Sequence, residues 1–561
     1  MRSCAGPLLC AIGLLAAPAC GDDLATDDGA CEPLSFAIDA LTLKWQWTAD
    51  DVTSIPLVAD VDDDGVPDIV LNIALADSSD SESGELALLD SVTGKVKWRI
   101  RHNPGNQRFG SHGRATVVVS DVDGDRVPDI VYAGRPDLQT STSPIHAVNG
   151  AGELLWTSHH PSGQTARITV QYGAPAVANL DTDPAAEIAF GAAILDNDGL
   201  LVWNQDNDGG VIGTPTDNQV PPKVIYPGGL PTFVDLDDDG EPELLTGRDA
   251  WKIAWTPGAP PSVSLSRLWQ NLGGKGNDGW PAVADLDGNG SPEVVLTAWP
   301  DIRVLDGRSG ELWCGVDPSG EACIADPSLR TQPIAIKGAN LGGPATLADF
   351  DGDGGLEAAI AGGTAIAVYD FNRPDEQLVL DALDPQPAPG AMYVRWHIDT
   401  QDQSSASTGS LAFDFDADGR PELLYQDECH FRVLDGATGS ILGEIENSSL
   451  TGHEYPIVAD IDADAETEIL VIANNSDPNP LAACKAQSPA FTPRQGLFVY
   501  GAKHQRWVPA RPLWPQYNHH ITDVDARGAV PTAESPHWAD PATNGFRQAL
   551  RDPNIAAATC N

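Results

Sequence analysis

One acidic nonapeptide recurs eight times along the 561-residue chain. The copies are DVDDDGVPD from Asp60, DVDGDRVPD from Asp121, NLDTDPAAE from Asn179, DLDDDGEPE from Asp235, DLDGNGSPE from Asp285, DFDGDGGLE from Asp349, DFDADGRPE from Asp414 and DIDADAETE from Asp460. They begin 46 to 65 residues apart, a spacing that belongs to repeat architectures. Positions 1, 3 and 5 carry Asp or Asn in every copy, and position 9 carries Asp or Glu. Position 2 is always apolar: Val61, Val122, Leu180, Leu236, Leu286, Phe350, Phe415 and Ile461. Gly at position 6 in five copies suits a turn with positive φ, and Pro at position 8 in five fixes φ before the last acid.

Carboxylates packed this closely repel by about 4 kcal/mol per pair at about 4 Å and an effective dielectric of about 20. A hard divalent cation relieves that repulsion. Calcium takes six to eight oxygens from carboxylates and carbonyls. The expected donors of the first four loops are Asp60, Asp62, Asp64, the Val66 carbonyl and Asp68; Asp121, Asp123, Asp125, Val127 and Asp129; Asn179, Asp181, Asp183, Ala185 and Glu187; Asp235, Asp237, Asp239, Glu241 and Glu243. Those of the last four are Asp285, Asp287, Asn289, Ser291 and Glu293; Asp349, Asp351, Asp353, Gly355 and Glu357; Asp414, Asp416, Asp418, Arg420 and Glu422; Asp460, Asp462, Asp464, Glu466 and Glu468. Up to eight calcium ions are therefore expected. An EF-hand would place a bidentate Glu at position 12, where the first loop has Leu71 inside a strand-like run, so these are hairpin loops. An acidic turn holding its own amides explains one copy but not four fixed positions in eight. The third loop, with Asn179 and no Gly, and the eighth, with Ala465 for Gly, are the weakest matches.

Apolar runs flank each loop, such as IPLVA before and IVLNIAL after the first, and read as buried strands. A second phrase follows: ALLDSVTGKVKW (87–98), HAVNGAGELLW (146–156), AILDNDGLLVW (193–203), RVLDGRSGELW (303–313) and RVLDGATGSIL (432–442). It reads as strand, Gly turn, strand. One unit is thus four strands with the acidic loop in its first hairpin. Eight such units set radially make an all-β chain, a β-propeller of eight blades, with a seven-bladed ring as the alternative. LKWQW (43–47) precedes the first loop and is expected to close the last blade. Residues 43–515 are assigned to the propeller, 20–42 to a linker and 516–561 to a tail that packs on or extends it.

Residues 1–19 read as an export signal, with Arg2 before an apolar run to Ala19. Ala17-Pro18-Ala19-Cys20 resembles a bacterial lipoprotein signal, in which the Cys is lipidated; Ala17 departs from the usual Leu. The resemblance implies lipidation of Cys20 and anchoring at the outer membrane or cell surface, with ordinary cleavage and secretion as the alternative. Six further cysteines suit disulfides in an exported chain. Cys314 and Cys323 bracket a turn-rich segment and are expected to form a local hairpin bridge; Cys429–Cys484 and Cys31–Cys560 follow by elimination. A net charge of −49 argues against nucleic acid and anionic lipid surfaces. Any membrane contact is expected through the N-terminal lipid alone, and the chain is expected to be a monomer.

These residues resemble the FG-GAP/VCBS repeat family, the propeller type of integrin α-subunit heads. The acidic loops carry most of the likeness, with Tyr172-Gly173-Ala174-Pro175 and Phe109-Gly110 adding to it. The resemblance covers about residues 43–515. It implies calcium at positions 1, 3, 5, 7 and 9 and roles in adhesion or ligand recognition. Residues 511–550 resemble a C-terminal segment of bacterial members. The phrase D-x-x-T-G-x-x-x-W resembles the tryptophan-docking repeat of eight-bladed quinoprotein propellers, which suits Trp98, Trp156, Trp203 and Trp313 as core residues between blades; the vicinal Cys pair of those dehydrogenases is absent.

No G-x-S-x-G, HExxH or phosphate-loop motif is present. The adjacent pairs His159-His160 and His519-His520 read as loop histidines in polar surroundings rather than as metal ligands or bases. His112, between Arg108 and Arg114, reads as part of a solvated loop, with an acidic-glycan face as the sharper alternative. The leading expectation is a non-catalytic surface scaffold that binds a protein or glycan. A lyase-like polysaccharide-active enzyme and a quinone-dependent dehydrogenase are the alternatives. Residues 102–114, 204–222 and 474–495 are the candidate binding insertions.

Overall fold

The computed structural model describes residues 36, 41–75, 83–101, 110–137, 142–170, 172–181, 183–191, 193–204, 229–271, 279–338, 342–373, 378–381, 386–402, 404–452, 454–475, 478–503 and 507–553. They form an eight-bladed β-propeller in which each blade is numbered here by its acidic loop. The four strands of a blade follow chain order across the sheet and pair antiparallel. In blade 3 they are Pro175–Ala178, Glu187–Phe190, Ala193–Leu195 and Leu201–Asn204. Blade 1 gains two short extra strands, Asp51–Val52 and Ser111–His112.

The burial pattern explains the radial order. The first two strands of each blade are buried throughout, as in Asp68–Ala74, whereas the fourth, as in Val96–Ile100, is half exposed. Blade faces pack on their neighbours, so inner strands read as unbroken apolar runs rather than alternating ones. Blade 8 closes the ring with the N-terminal strand Leu41–Trp47, which pairs with Gly496–Ala502. The expected closure by residues 43–47 is thus observed.

Tryptophans from the fourth strands join successive blades. A Cβ built on the turn glycine of the next blade would fall against the ring face in five cases: Gly94 on Trp45, Gly152 on Trp98, Gly199 on Trp156, Gly310 on Trp269 and Gly439 on Trp396. Trp98, Trp269 and Trp396 also donate from Nε1 to a carbonyl of that turn at 2.7 Å. Trp98, Trp156 and Trp203 are half-buried at blade seams, not core residues, because the fourth strand lies at the rim. Trp313 is buried, but it packs on Phe371 and donates to Asp287 in its own loop.

Residues 507–552 run inside the ring as a strap. An innermost strand is a free edge with unpaired backbone groups, and the strap satisfies them. Val58 exchanges hydrogen bonds with Trp514, Val119 donates to the Pro515 carbonyl, Leu347 exchanges with Phe546, and Ala412 pairs with the chain at Arg547 and Ala549. Val177 donates to Gln516, and His537 donates to the Val283 carbonyl. In these six blades the docked residue lies two positions before the first acid of the loop. Asn518 reaches the Leu230 and Pro231 carbonyls of blade 4, and Asp460 of blade 8 donates to Arg511. Arg547, fully buried, donates to the Ala345 carbonyl and to Asn518.

Two disulfides are present among the described residues, Cys314–Cys323 and Cys429–Cys484. Cys323 lies on a short helix, Glu321–Ala325, so the first bridge closes a helical loop and not the expected hairpin. Cys31 and Cys560 lie outside the described residues, as do Cys20, Arg108 and Phe109.

Candidate metal sites

Each acidic loop joins the first and second strands of its blade, so all eight open on one face of the ring. The turn is tight. Position 6 has positive φ in seven loops, including Arg126 at 76° and Ala465 at 68°. Amides inside the turn donate to the first acid: in loop 1, Asp64 and Gly65 donate to the two Asp60 oxygens at 3.1 and 2.9 Å. The amide of position 7 donates to the acid at position 5, as Val66 does to Asp64 at 2.9 Å. These bonds aim the carboxylates of positions 1, 3 and 5 toward one another.

Position 9 begins the second strand and is buried in all eight blades. In loops 2 to 8 one of its oxygens accepts from the amide of position 2, as Glu187 does from Leu180 and Glu357 from Phe350 at 2.8 Å. Its other oxygen turns to the loop. Burial, with the loop acids adding repulsion, pushes Asp129 up to about 8, Glu187 to about 9 and Glu422 to about 8. Glu293 is raised well above the ordinary range for the same reasons.

The carboxylates converge. One oxygen from each of Asp60, Asp62 and Asp64 lies within 4.8 Å of the others, and so do those of Asp121, Asp123 and Asp129, of Asp181, Asp183 and Glu187, and of Asp235, Asp237 and Asp239. In loop 3, Glu187 Oε1 and Asn179 Oδ1 are buried with no hydrogen-bond partner. A buried, unpaired oxygen facing a ring of carboxylates fits a hard cation, and every donor in the set is oxygen. Asn179 donates from Nδ2 to the Asp183 and Ala185 carbonyls, which braces it on its own loop.

The eight loops divide into two kinds. A basic side chain reaches the carboxylates in four. Lys97 Nζ lies 2.7 Å from Asp62 and 2.6 Å from Asp68. Lys252 Nζ lies 2.7 Å from Asp237 and 2.5 Å from Asp239. Arg395 pairs with Asp351 at 2.6 Å, and Lys44 pairs with Glu468. In loops 2, 3 and 5 no basic side chain pairs with the carboxylates among the described residues. In loop 7, Arg420 pairs only with Asp418, where both are largely exposed.

The division has a backbone cause. A β-bulge skips one residue just before the fourth-strand tryptophan position. The skipped residue is Lys97, Arg395 or Lys44 in blades 1, 6 and 8, but Leu155, Val202, Leu268 or Leu442 in blades 2, 3, 4 and 7. Lys252 enters loop 4 from the third strand instead. The sequence holds this signal as Lys-Trp or Arg-Trp against Leu-Trp or Val-Trp, and the motif reading did not use it.

Other sequence candidates fall elsewhere. His112 is buried on a short strand of blade 1 against Tyr172, not in a solvated loop. His519 and His520 are buried in the strap, where the chain folds back into the ring, each against a carboxylate, Asp523 and Glu534 respectively. His159 and His160 lie at the surface end of a connection. Residues 102–109 and 205–228 lie outside the described residues; the 474–495 segment contains the helix Pro478–Gln487, held by Cys484.

No protein-family model and no curated protein sequence matches the chain. Among solved structures, the biofilm matrix protein Bap1 of V. cholerae is similar at 18% identity and a TM-score of 0.62, covering 91% of this chain and 99% of that one. The rhamnogalacturonan lyase YesW is similar at 17% identity and a TM-score of 0.45, covering 80% and 75%. A quinohemoprotein alcohol dehydrogenase of Pseudomonas putida HK5 is similar at 11% identity and a TM-score of 0.42, covering 84% and 78%. At these identities the likeness concerns the fold.

Proposed function

We propose that this chain is an exported, calcium-braced recognition scaffold of the FG-GAP/VCBS kind, without catalytic activity, that binds a protein or glycan on the face opposite its acidic loops. The observation that carries this reading is the unequal finish of the two faces. On the loop face the acidic turns, the short glycine turns and the strap occupy the mouth of the channel. On the opposite face lie most of the long connections, including 158–174, 447–456 and 474–495, whereas 314–333 interrupts the outer strand of blade 5 and reaches its acidic loop, where Asn289 donates to the Pro318 carbonyl. Long connections on a rigid scaffold are where binding residues collect. The two disulfides fit an oxidising compartment, and tethering through Cys20 would present that face from a cell surface.

Calcium, on this reading, holds the ring rather than the ligand. Loops 2, 3, 5 and 7 are the strong sites, held by Asp121, Asp123 and Asp129; Asn179, Asp181, Asp183 and Glu187; Asp285, Asp287 and Glu293; and Asp414, Asp416 and Glu422. Loops 1, 4, 6 and 8 are weaker, because an ion there must displace Lys97, Lys252, Arg395 or Lys44. The carboxyl groups on the opposite face best matched to proton transfer near neutral pH are Asp402 and Glu454, both pushed up to about 7 by burial. Both are fully enclosed, with Glu454 held by Asn474 and Ser449 and Asp402 by the Ala406 amide. Neither offers an oxygen to a substrate, which supports binding over catalysis. A screen of glycans and surface proteins, run with and without calcium, tests the reading. Saturable binding that is lost when the 447–456 connection is replaced by a Gly-Ser linker is expected. Unsaturated products released from an acidic polysaccharide would overturn it in favour of a lyase.

A further inference from the structure

The strap makes one excursion. It follows the inner strands to Asn518, departs after His520, and rejoins the ring where His537 donates to Val283. A histidine stands at each end of this excursion, and Glu534 comes back between them. One ligand atom from each of His520, Glu534 and His537 lies within 4.8 Å of the others. His520 and His537 are 2% and 0% exposed, with ring centroids 4.6 Å apart. None of the three belongs to an acidic loop.

Two details separate this cluster from ordinary packing. His537 Nε2 lies 2.8 Å from the Val283 carbonyl, a contact that requires the ring proton on Nε2. Its Nδ1 is therefore a lone pair, and it is buried with no hydrogen-bond partner. An imidazole pinned through one nitrogen by a backbone carbonyl, with the other nitrogen free, is the arrangement of a metal-bound histidine. Second, Glu534 lines a cavity of about 190 Å³ bounded by loops 3 and 4 and by residues 530–538. An ion can reach the cluster through it. Glu534 is already oriented: its Oε1 accepts from Thr522 at 2.7 Å and lies 2.6 Å from His520 Nε2.

We propose that His520, Glu534 and His537 bind a divalent transition-metal ion, zinc foremost, with the fourth position open to water from the cavity. Two imidazole nitrogens and one carboxylate oxygen suit zinc and not the all-oxygen preference of calcium. Zinc bonds of about 2.0–2.2 Å set tetrahedral ligands about 3.4 Å apart, so the three groups draw together on binding. The ion would staple the two ends of the 521–536 excursion and hold the strap against blades 4 and 5.

The test uses the untagged full chain, freed of metal, returned to millimolar calcium and titrated with Co²⁺ and then Zn²⁺. One Co²⁺ per chain is expected, with visible absorption bands from nitrogen ligation, displaced by zinc and not by calcium. His537→Ala should abolish the bands. Glu534→Gln, at the half-buried edge of the cluster, should weaken binding on the order of 10–100-fold and decides the matter should His537→Ala fail to fold. Absence of micromolar Co²⁺ binding by the folded wild-type chain overturns the proposal. So does binding that Glu534→Gln leaves unchanged, because the ion then sits in the acidic loops.

Discussion

Replacing Lys97 by Met separates the two kinds of loop most sharply. The Lys97 ammonium lies 2.7 Å from Asp62, 2.6 Å from Asp68 and 3.6 Å from Asp64. Asp68 is fully buried, so removing the ammonium strands a carboxylate with no water to replace it. Removing one partner of a buried pair costs about 3–5 kcal/mol. Lys97 itself is 23% exposed and Asp64 is about half exposed, so the lower end, about 3 kcal/mol, applies to the calcium-free chain. With calcium present the loss is offset. The emptied loop now offers an uncontested site, and an ion at 100 times its dissociation constant restores about 2.7 kcal/mol. Lys97→Met is therefore expected to unfold at clearly lower urea than wild type in a chelator, to match it in millimolar calcium, and to bind one additional calcium in the strong set. Urea titration followed by tryptophan fluorescence, paired with calorimetric titration of calcium, reads all three. Equal destabilisation in both conditions, with no added ion, would refute the division of the loops.

Two further outcomes follow from the geometry. Gly310→Ala puts a Cβ 2.5 Å from the Trp269 ring at a φ of +66°, and should destabilise the blade 4–5 seam by about 2 kcal/mol or more, measured by urea unfolding; Gly163→Ala, with φ of +77° but open space, should cost only about 1 kcal/mol. The calcium-free chain should also lose stability as pH rises. Asp129, Glu187 and Glu422 carry folded values of about 8 to 9, against unfolded values near about 4. The stabilisation of their protonated forms is complete below the unfolded values and disappears as pH climbs through 8 to 9. With calcium saturating, protons compete with the ion and stability should instead rise from pH 5 to 7. Urea midpoints across that range check the opposed slopes, and parallel slopes would contradict them.

Much of the ring was legible because the repeat sets every blade in register. The acidic loop marks the first hairpin, and the buried runs on either side can satisfy their backbones only as neighbouring strands. Closure by Trp45 and its strand was readable because LKWQW stands before the first loop with no partner of its own. Trp269 and Trp396 were missed as seam residues because their blades lack the D-x-x-T-G phrase, although the same bulge positions them. The strap was opaque for a different reason. Its residues carry no period, and they are ordered by the free inner edges of eight strands that only the closed ring presents. For the same reason His519 and His520 read as polar loop residues, yet the channel buries them. The lysines in loops 1, 4 and 8 were hidden because the acidic motif is local, whereas Lys44 meets Glu468 only once the ring has closed across 424 positions.

The central claim is that the acidic loops hold calcium and that the ion braces the ring. Calcium stoichiometry, measured on the metal-free full chain by calorimetric titration beside a melting curve in chelator, tests it most directly. Four strong ions, a weaker set above them and a large fall in melting temperature on chelation are expected; four sites at 100 times their dissociation constants would together contribute about 11 kcal/mol. A chain that binds no calcium and melts identically with and without chelator would contradict the account.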